Sequence, residues 1–239
     1  MSGPPDPSGE RALSLPFTTR TRCLLLPPRV PAAARPPLLI SLHGQGQSGE
    51  RQRRWMQPAL PDHFAAAFPD GFHAHEVRKP DRPIRLGFGW YLYTGDETAF
   101  RASLLESEAA LWRLVDAAAA ELGADPARVW LHGFSQGAYL VHCVACRAPS
   151  RLRGWIAQAG RLKWEFLGER IEGLAGKPVL VQHGRQDESL QLERAERGVE
   201  VLRASGADVT FRVYEAGHEI TPQAVAEVKD FLLKHEPLR

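Results

Sequence analysis

Val129-Trp-Leu-His-Gly-Phe-Ser-Gln-Gly-Ala138 joins an apolar, β-branched start to a serine framed by glycines. Val129, Trp130 and Leu131 read as a short buried strand, and the run Gly137-Ala-Tyr-Leu-Val-His-Cys-Val-Ala145 reads as a helix. Between them, Gly133-Phe-Ser135-Gln-Gly137 has the Gly-x-Ser-x-Gly spacing of a sharp strand-to-helix turn, in which the serine takes strained backbone angles. Glycine is needed two residues to either side, because a Cβ there would strike the strand or the helix. The hydroxyl then stands clear of the backbone. The helix behind it aims its free N–H groups and positive dipole end at any oxyanion formed on an attacked carbonyl.

Working outward, the same order of apolar run and glycine turn recurs. Leu38-Leu-Ile-Ser-Leu42 ends in His43-Gly-Gln-Gly-Gln-Ser-Gly49, and Gly154-Trp-Ile-Ala-Gln-Ala-Gly160 and Pro178-Val-Leu-Val-Gln-His-Gly184 each finish on glycine. Val209-Thr-Phe-Arg-Val-Tyr214 alternates as a strand. Residues 98–123 carry Leu104, Leu111, Val115, Ala118 and Leu122 on one helical face, with Asp125-Pro126 as the stop. Leu192, Ala195, Val199 and Leu202 form a second stripe, and Thr221-Pro222 opens a last helix through Leu233. Glu50 to Phe68, interrupted by Pro58 and Pro61, suggests one or two short helices. Pro69 to Asp96 suggests a short strand and a long loop; Leu13 to Leu26, a hairpin or edge strands; Pro27 to Pro37, a connector. Strand and helix thus alternate from residue 38 onward. This predicts an α/β fold: one domain over residues 11–239, with a mostly parallel central sheet covered by helices on both faces and functional loops at the strands' carboxyl ends. Residues 1–10 read as a disordered tail.

A serine hydroxyl cannot attack unaided at neutral pH, so it needs a histidine base and an acid to orient that base. Later strands offer both. His183-Gly-Arg-Gln-Asp187 follows one strand and Glu215-Ala-Gly-His218 another, so Ser135, Asp187 and His218 come in the order nucleophile, acid, base. Oxyanion donors are expected from the backbone N–H of Gln136, just after the serine, and of Gln45 in the earlier glycine turn. Glu188 and Glu219 are assigned to exposed edges, His73 and His75 to structure, and Cys143-Val-Ala-Cys146 to core packing on the helix after the serine. Trp90 and Tyr91 are candidates for a substrate-pocket wall.

Composition narrows the partners. The 239 residues are 44% hydrophobic and 24% charged with a net charge of +2 and no long run of one sign, which points away from nucleic acid and anionic membranes. Three cysteines cannot make a disulfide framework, which suits a reducing, cytoplasmic setting. No apolar run of membrane-spanning length and no signal-peptide pattern is read, so no stable membrane insertion is expected.

Leu42-His-Gly-Gln-Gly-Gln-Ser-Gly49, Asp125-Pro-Ala-Arg-Val-Trp-Leu-His-Gly-Phe-Ser-Gln-Gly137, His183-Gly-Arg-Gln-Asp187 and Gly217-His218 together resemble the phospholipase/carboxylesterase family of α/β-hydrolases, which includes acyl-protein thioesterases, over roughly residues 35–236. The resemblance implies the α/β-hydrolase fold, a triad of Ser135, Asp187 and His218, and an oxyanion hole at Gln45 and Gln136. It also implies small ester or thioester substrates handled through an acyl-enzyme, without metal or organic cofactor. Three positions depart from the family's pattern: Gln45 stands where an apolar residue is usual, Gln47 where Asp is usual, and Leu92 closes a Trp-aromatic-Asp segment. A glutamine at the pocket mouth favours esters over long lipidated thioesters. The remaining alternatives are an aromatic (feruloyl-type) esterase or lactone hydrolase of the same fold, a binding protein that keeps the fold without the activity, and acyl transfer to an acceptor other than water. Monomer and homodimer both stay open.

Overall fold

A computed structural model describes residues 20–30, 35–78, 80–93, 95–168 and 171–238. In chain order the elements are β1 (Cys23–Leu26), β2 (Leu38–Leu42), α1 (Gly49–Met56), β3 (Ala65–Pro69), β4 (His73–Val77), β5 (Arg85–Gly89), α2 (Glu97–Glu121), β6 (Val129–Phe134), α3 (Gln136–Arg147), β7 (Gly154–Gln158), α4 (Trp164–Leu167), β8 (Pro178–Gly184), α5 (Leu192–Ala204), β9 (Asp208–Tyr214) and α6 (Pro222–His235). Seven strands form one sheet in the order β1-β3-β2-β6-β7-β8-β9, and only β1 runs antiparallel to its neighbour. β4 and β5 pair as a separate antiparallel hairpin.

Each central strand is buried on both sides, so its side chains divide alternately between two cores. Leu38, Ile40, Val129, Leu131, Val179 and Val181 pack under α2, α3 and α5, which contribute Leu111, Val115, Leu140, Val144, Val199 and Leu202. Leu39, Trp130, Ile156 and Leu180 face the other way, toward Met56 of α1 and Val228, Phe231 and Leu232 of α6. The mostly parallel sheet with helices on both faces is the arrangement the alternation predicts. No helix among the described residues is long and apolar enough to cross a membrane.

Local expectations fare unevenly. The edge strand within 13–26 is β1, while the residues 1–10 expected as a tail lie outside those described. The helix expected over Glu50 to Phe68 ends at Met56, with one 3-10 turn at Gln57–Ala59 beside Pro58; Ala65–Pro69 is instead a strand. Ala65, Ala66 and Ala67 carry no hydrophobic period of their own, and pairing with β1 and β2 decides their state. The long loop expected before Asp96 contains the β4–β5 hairpin. Helix α2 stops short of Asp125-Pro126: Leu122 caps it and Gly123, at φ +60°, turns the chain out, with Ala124 N donating to Ala119 O. Thr221 caps α6 as expected, its Oγ1 accepting from Ala224 N at 3.1 Å.

A file of polar side chains crosses the buried sheet from β2 to β9. Gln52 Nε2 donates to Ser41 Oγ (3.0 Å), which donates to His132 Nδ1 (2.8 Å), and His132 Nε2 donates to Gln158 Oε1 (2.7 Å). Gln158 Nε2 then donates to Gln182 Oε1 (2.6 Å), Gln182 Nε2 to the Tyr214 hydroxyl (2.7 Å), and that hydroxyl to Glu227 Oε2 (2.8 Å). Burial holds His132 neutral, its pKa lowered to about 4, and the ring's two nitrogens divide into one donor and one acceptor accordingly.

Chain order and strand order part company between β2 and β6. From β2 the chain winds outward to β3, then returns to place β6 on the other side of β2. A crevice opens at the carboxyl ends of two such strands.

Candidate active site

Ser135 sits at that crevice, between β6 and α3, at φ 52° and ψ −117°. The close approach of its flanking elements requires the two glycines. A Cβ on Gly133 would lie 2.4 Å from the Gly137 carbonyl group, and one on Gly137 would lie 2.7 Å from the carbonyl oxygens of Leu42 and His43. Ser135 N donates to Gln158 O at 2.9 Å, which ties the strained residue to β7. Its hydroxyl lies 2.8 Å from His218 Nε2, while His218 Nδ1 lies 2.7 Å from Asp187 Oδ2. Three residues distant in the sequence therefore form one hydrogen-bonded line.

Asp187 is held before it meets the histidine. Its Oδ1 accepts from the backbone N–H groups of Ser189 (2.8 Å) and Leu190 (2.9 Å), leaving Oδ2 for His218. Its side chain is fully buried, whereas that of His218 is 27% exposed, so the imidazole reaches the cavity while its partner stays dry. With Nδ1–H donated to the carboxylate, Nε2 is the nitrogen free to accept the serine proton.

The loop after β2 is fixed by His43. Burial lowers the pKa of its imidazole to about 4, so the ring is neutral. Nε2 accepts from Gly71 N at 2.9 Å, which leaves Nδ1–H to donate to Gly44 O at 2.7 Å. That carbonyl and the N–H of Gln45 belong to one planar trans peptide and point in opposite directions, so pinning the oxygen also aims the N–H. Gln47 Oε1 accepts from Gly44 N at 3.2 Å, and the hairpin clamps the same loop through Gly46 N to Phe88 O (2.8 Å) and Phe88 N to Gln47 O (2.9 Å). Among the described residues, the N–H groups of Gln45 and Gln136 find no acceptor. Two unused donors flanking a serine hydroxyl can bind an oxyanion.

The two residues expected as a pocket wall lie in different places. Tyr91 lines the cavity beside Ser135, but Trp90 is fully buried and does not. The indole stacks on His43 with ring centroids 4.8 Å apart and donates from Nε1 to His43 O at 2.7 Å. Trp90 N also donates to Gln136 Oε1 (2.9 Å), whose Nε2 donates to Tyr91 O (3.0 Å). Trp90 is thus a brace between the hairpin and both donor loops; the hairpin that packs it inward leaves no periodic signal in the sequence. Gln45, Tyr91 and Gln136 stand between two cavities, one of about 480 Å³ that contains Ser135 and one of about 880 Å³ that reaches Phe72 and His73.

Other assignments hold. Glu188 and Glu219 are exposed. Cys143 and Cys146 are unpaired core residues, and burial pushes the Cys143 thiol up to about 12. Sequence reasoning gave no role to His43, although its place at a strand end before glycine marked it. It also passed over Arg161, Lys163 and Arg194, which line the smaller cavity.

With this geometry in hand, comparison with known proteins is specific. The phospholipase/carboxylesterase family model matches residues 29–236. Acyl-protein thioesterase 1 of Gibberella zeae is 30% identical over 123 residues, which cover 48% of this chain and 51% of that protein. The counterpart in Eremothecium gossypii is matched over 46% of its length, so the chain spans about half the length of these curated relatives. A probable carboxylesterase, SOBER1-like, of Arabidopsis thaliana is 23% identical over 216 residues, 81% of this chain and 77% of its own. Esterase PE8 superposes with a TM-score of 0.74 at 25% identity, covering 90% of this chain and 99% of that one. The Bacillus cereus carboxylesterase shares the fold at 20% identity, with a TM-score of 0.73 and coverage of 90% and 94%.

Proposed function

The chain belongs to the phospholipase/carboxylesterase family of α/β-hydrolases, and from that premise we propose that it cleaves carboxylic esters, and thioesters by the same route, through an acyl-enzyme on Ser135. The observation that carries this reading is the line from Ser135 Oγ to His218 Nε2 (2.8 Å) and from His218 Nδ1 to Asp187 Oδ2 (2.7 Å). Ser135 Oγ attacks the acyl carbon as its proton passes to His218 Nε2, and the imidazolium is stabilised by the Asp187 carboxylate. The carbonyl oxygen gains negative charge and is held by the N–H groups of Gln45 and Gln136. Collapse of the adduct expels the alcohol or thiol, which takes the proton from His218. Water then repeats the sequence to free the acid and restore the serine. The substrate is a small molecule that fits the cavity of about 480 Å³.

Replacing Ser135 with Ala is expected to abolish hydrolysis of p-nitrophenyl butyrate, a loss of about 10⁴-fold or more. It should also abolish covalent labelling by a fluorophosphonate, whereas the wild-type chain is labelled. Retention of most of the activity in that variant refutes the assignment; a wild-type chain that is neither labelled nor active supports a binding role instead. A second reading, aryl-ester hydrolysis, draws on Tyr91, Tyr93, Phe100 and Tyr139 in the cavity lining. A series of aliphatic and aromatic acyl groups separates the two.

A further inference from the structure

The cavity beside Ser135 has a sign. Arg161, Lys163 and Arg194 line it with Gln45, Ser135 and Tyr139, and no carboxylate among the described residues does. The chain carries 30 cationic and 28 acidic residues, so the positive sign belongs to the cavity and not to the molecule as a whole.

Two of the cations are held in place by neighbours outside the cavity, and the third is not. Arg161 is buried, its side chain 6% exposed, and is held rigidly: Nε donates to the Tyr139 hydroxyl (3.2 Å), and Nη1 to Leu162 O (3.4 Å) and to both oxygens of Glu165 (2.9 and 3.0 Å). Its Nη2 donates to nothing among the described residues. Lys163 is propped over the rings of Phe166 (4.0 Å) and Phe100 (4.4 Å) and donates to both oxygens of Glu97 at 3.3 and 3.4 Å, a pair whose acid is 56% exposed. Neither Glu165 nor Glu97 lines the cavity. Arg194 forms no ion pair among the described residues and sits in the first turn of α5, where the helix dipole disfavours a cation. Helix stability gives no reason for it. An anion in the cavity supplies the partner Arg194 lacks, and it lies within the field of Arg161 and Lys163, whose own carboxylates stand outside the cavity.

We infer that the ester hydrolysed at Ser135 carries an anionic group, a carboxylate or a phosphate, on one arm, and that Arg161, Lys163 and Arg194 receive it while the carbonyl lies against Gln45 and Gln136. The inference rests on the serine-hydrolase reading above and adds the substrate class to it. A planar guanidinium binds either group through paired N–H donors, and the low-dielectric wall around Arg161 strengthens the attraction.

The test compares matched esters on the full chain at low ionic strength: mono-p-nitrophenyl glutarate against p-nitrophenyl pentanoate, and 4-acetoxybenzoate and 4-acetoxyphenyl phosphate against phenyl acetate. At least one anionic ester is expected to exceed its neutral partner about tenfold or more in kcat/KM, with the preference shrinking as salt is added. Which arm wins identifies the carboxylate or the phosphate and the side of the scissile bond that bears it. Arg194→Gln and Lys163→Gln should each lower the anionic-to-neutral ratio, and Arg194→Glu should lower it further. Arg161→Gln is not used, because that side chain is embedded in packing. Equal or better turnover of the neutral esters, or a ratio unmoved by the three substitutions, overturns the inference while leaving Ser135 as the nucleophile. If no ester is turned over and no fluorophosphonate label is taken up, both readings fall.

Discussion

A single imidazole, His43, decides where one of the two proposed oxyanion donors points. Its Nδ1–H holds Gly44 O, and through that peptide plane it sets the Gln45 N–H, an interaction of value only once the carbonyl oxygen is charged. His43→Phe keeps a ring against Trp90 but removes both the donor to Gly44 O and the acceptor for Gly71 N. We expect kcat to fall about 10- to 100-fold with KM shifted less than about threefold, because the loss falls on the transition state. Steady-state kinetics on p-nitrophenyl butyrate check this; equal effects on both constants would point to damaged substrate binding instead. Ser135, Asp187 and His218 were legible in the sequence because each follows a strand within a few residues, so local spacing reports their place. The burial of Trp90 is not legible in the sequence, because an aromatic residue looks the same in a pocket wall and in a brace, and only the hairpin's packing separates them. Arg161, Lys163 and Arg194 gave no signal at all, since charges on separate turns become a cluster only in three dimensions.

At the scale of elements, the polar file across the sheet links β2, β6, β7, β8 and β9 through side chains rather than backbone. Every donor faces the same way, from Gln52 toward Glu227, so no amide can turn over alone without setting two acceptors or two donors against each other. Gln158→Leu cuts this file in the middle, leaving His132 Nε2–H and Gln182 Oε1 buried without partners. The expected cost is roughly 2–4 kcal/mol of stability, read as a lower urea midpoint, and a change under about 0.5 kcal/mol would contradict the chain of bonds described. The strands that carry Ser41, His132, Gln158 and Gln182 were all legible, being apolar runs ended by glycine. Strand β3 and the β4–β5 hairpin were not: the first is written in alanine, which fits strand or helix, and the second depends on pairing between segments separated by an irregular turn.

At the scale of the whole molecule, three of the buried imidazoles, His43, His132 and His142, give stability a direction with pH. Burial lowers the pKa of His43 and His132 to about 4 and that of His142 to about 3, against an ordinary 6.5. The unfolded chain therefore takes up protons near pH 6.5 that the folded chain refuses. Stability from these groups is complete above pH 6.5 and is lost as pH falls toward 4, by up to about 1.4 kcal/mol per pH unit for each histidine. Urea midpoints measured from pH 7.5 to 4.5 should decline across this window; a flat profile between 6.5 and 5 would show that the rings are not kept neutral.

The two proposed oxyanion donors come from loops on β2 and β6, and these strands are bonded neighbours from Leu38 opposite Val129 through Leu42 opposite Gly133. The gap between the donors is therefore calibrated by the spacing of adjacent strands, about 4.8 Å and among the stiffest dimensions a protein possesses. Such a gauge has no intermediate settings. The sheet sets the width of the proposed receptacle for the charged oxygen, and His43 sets the aim of one of its two donors.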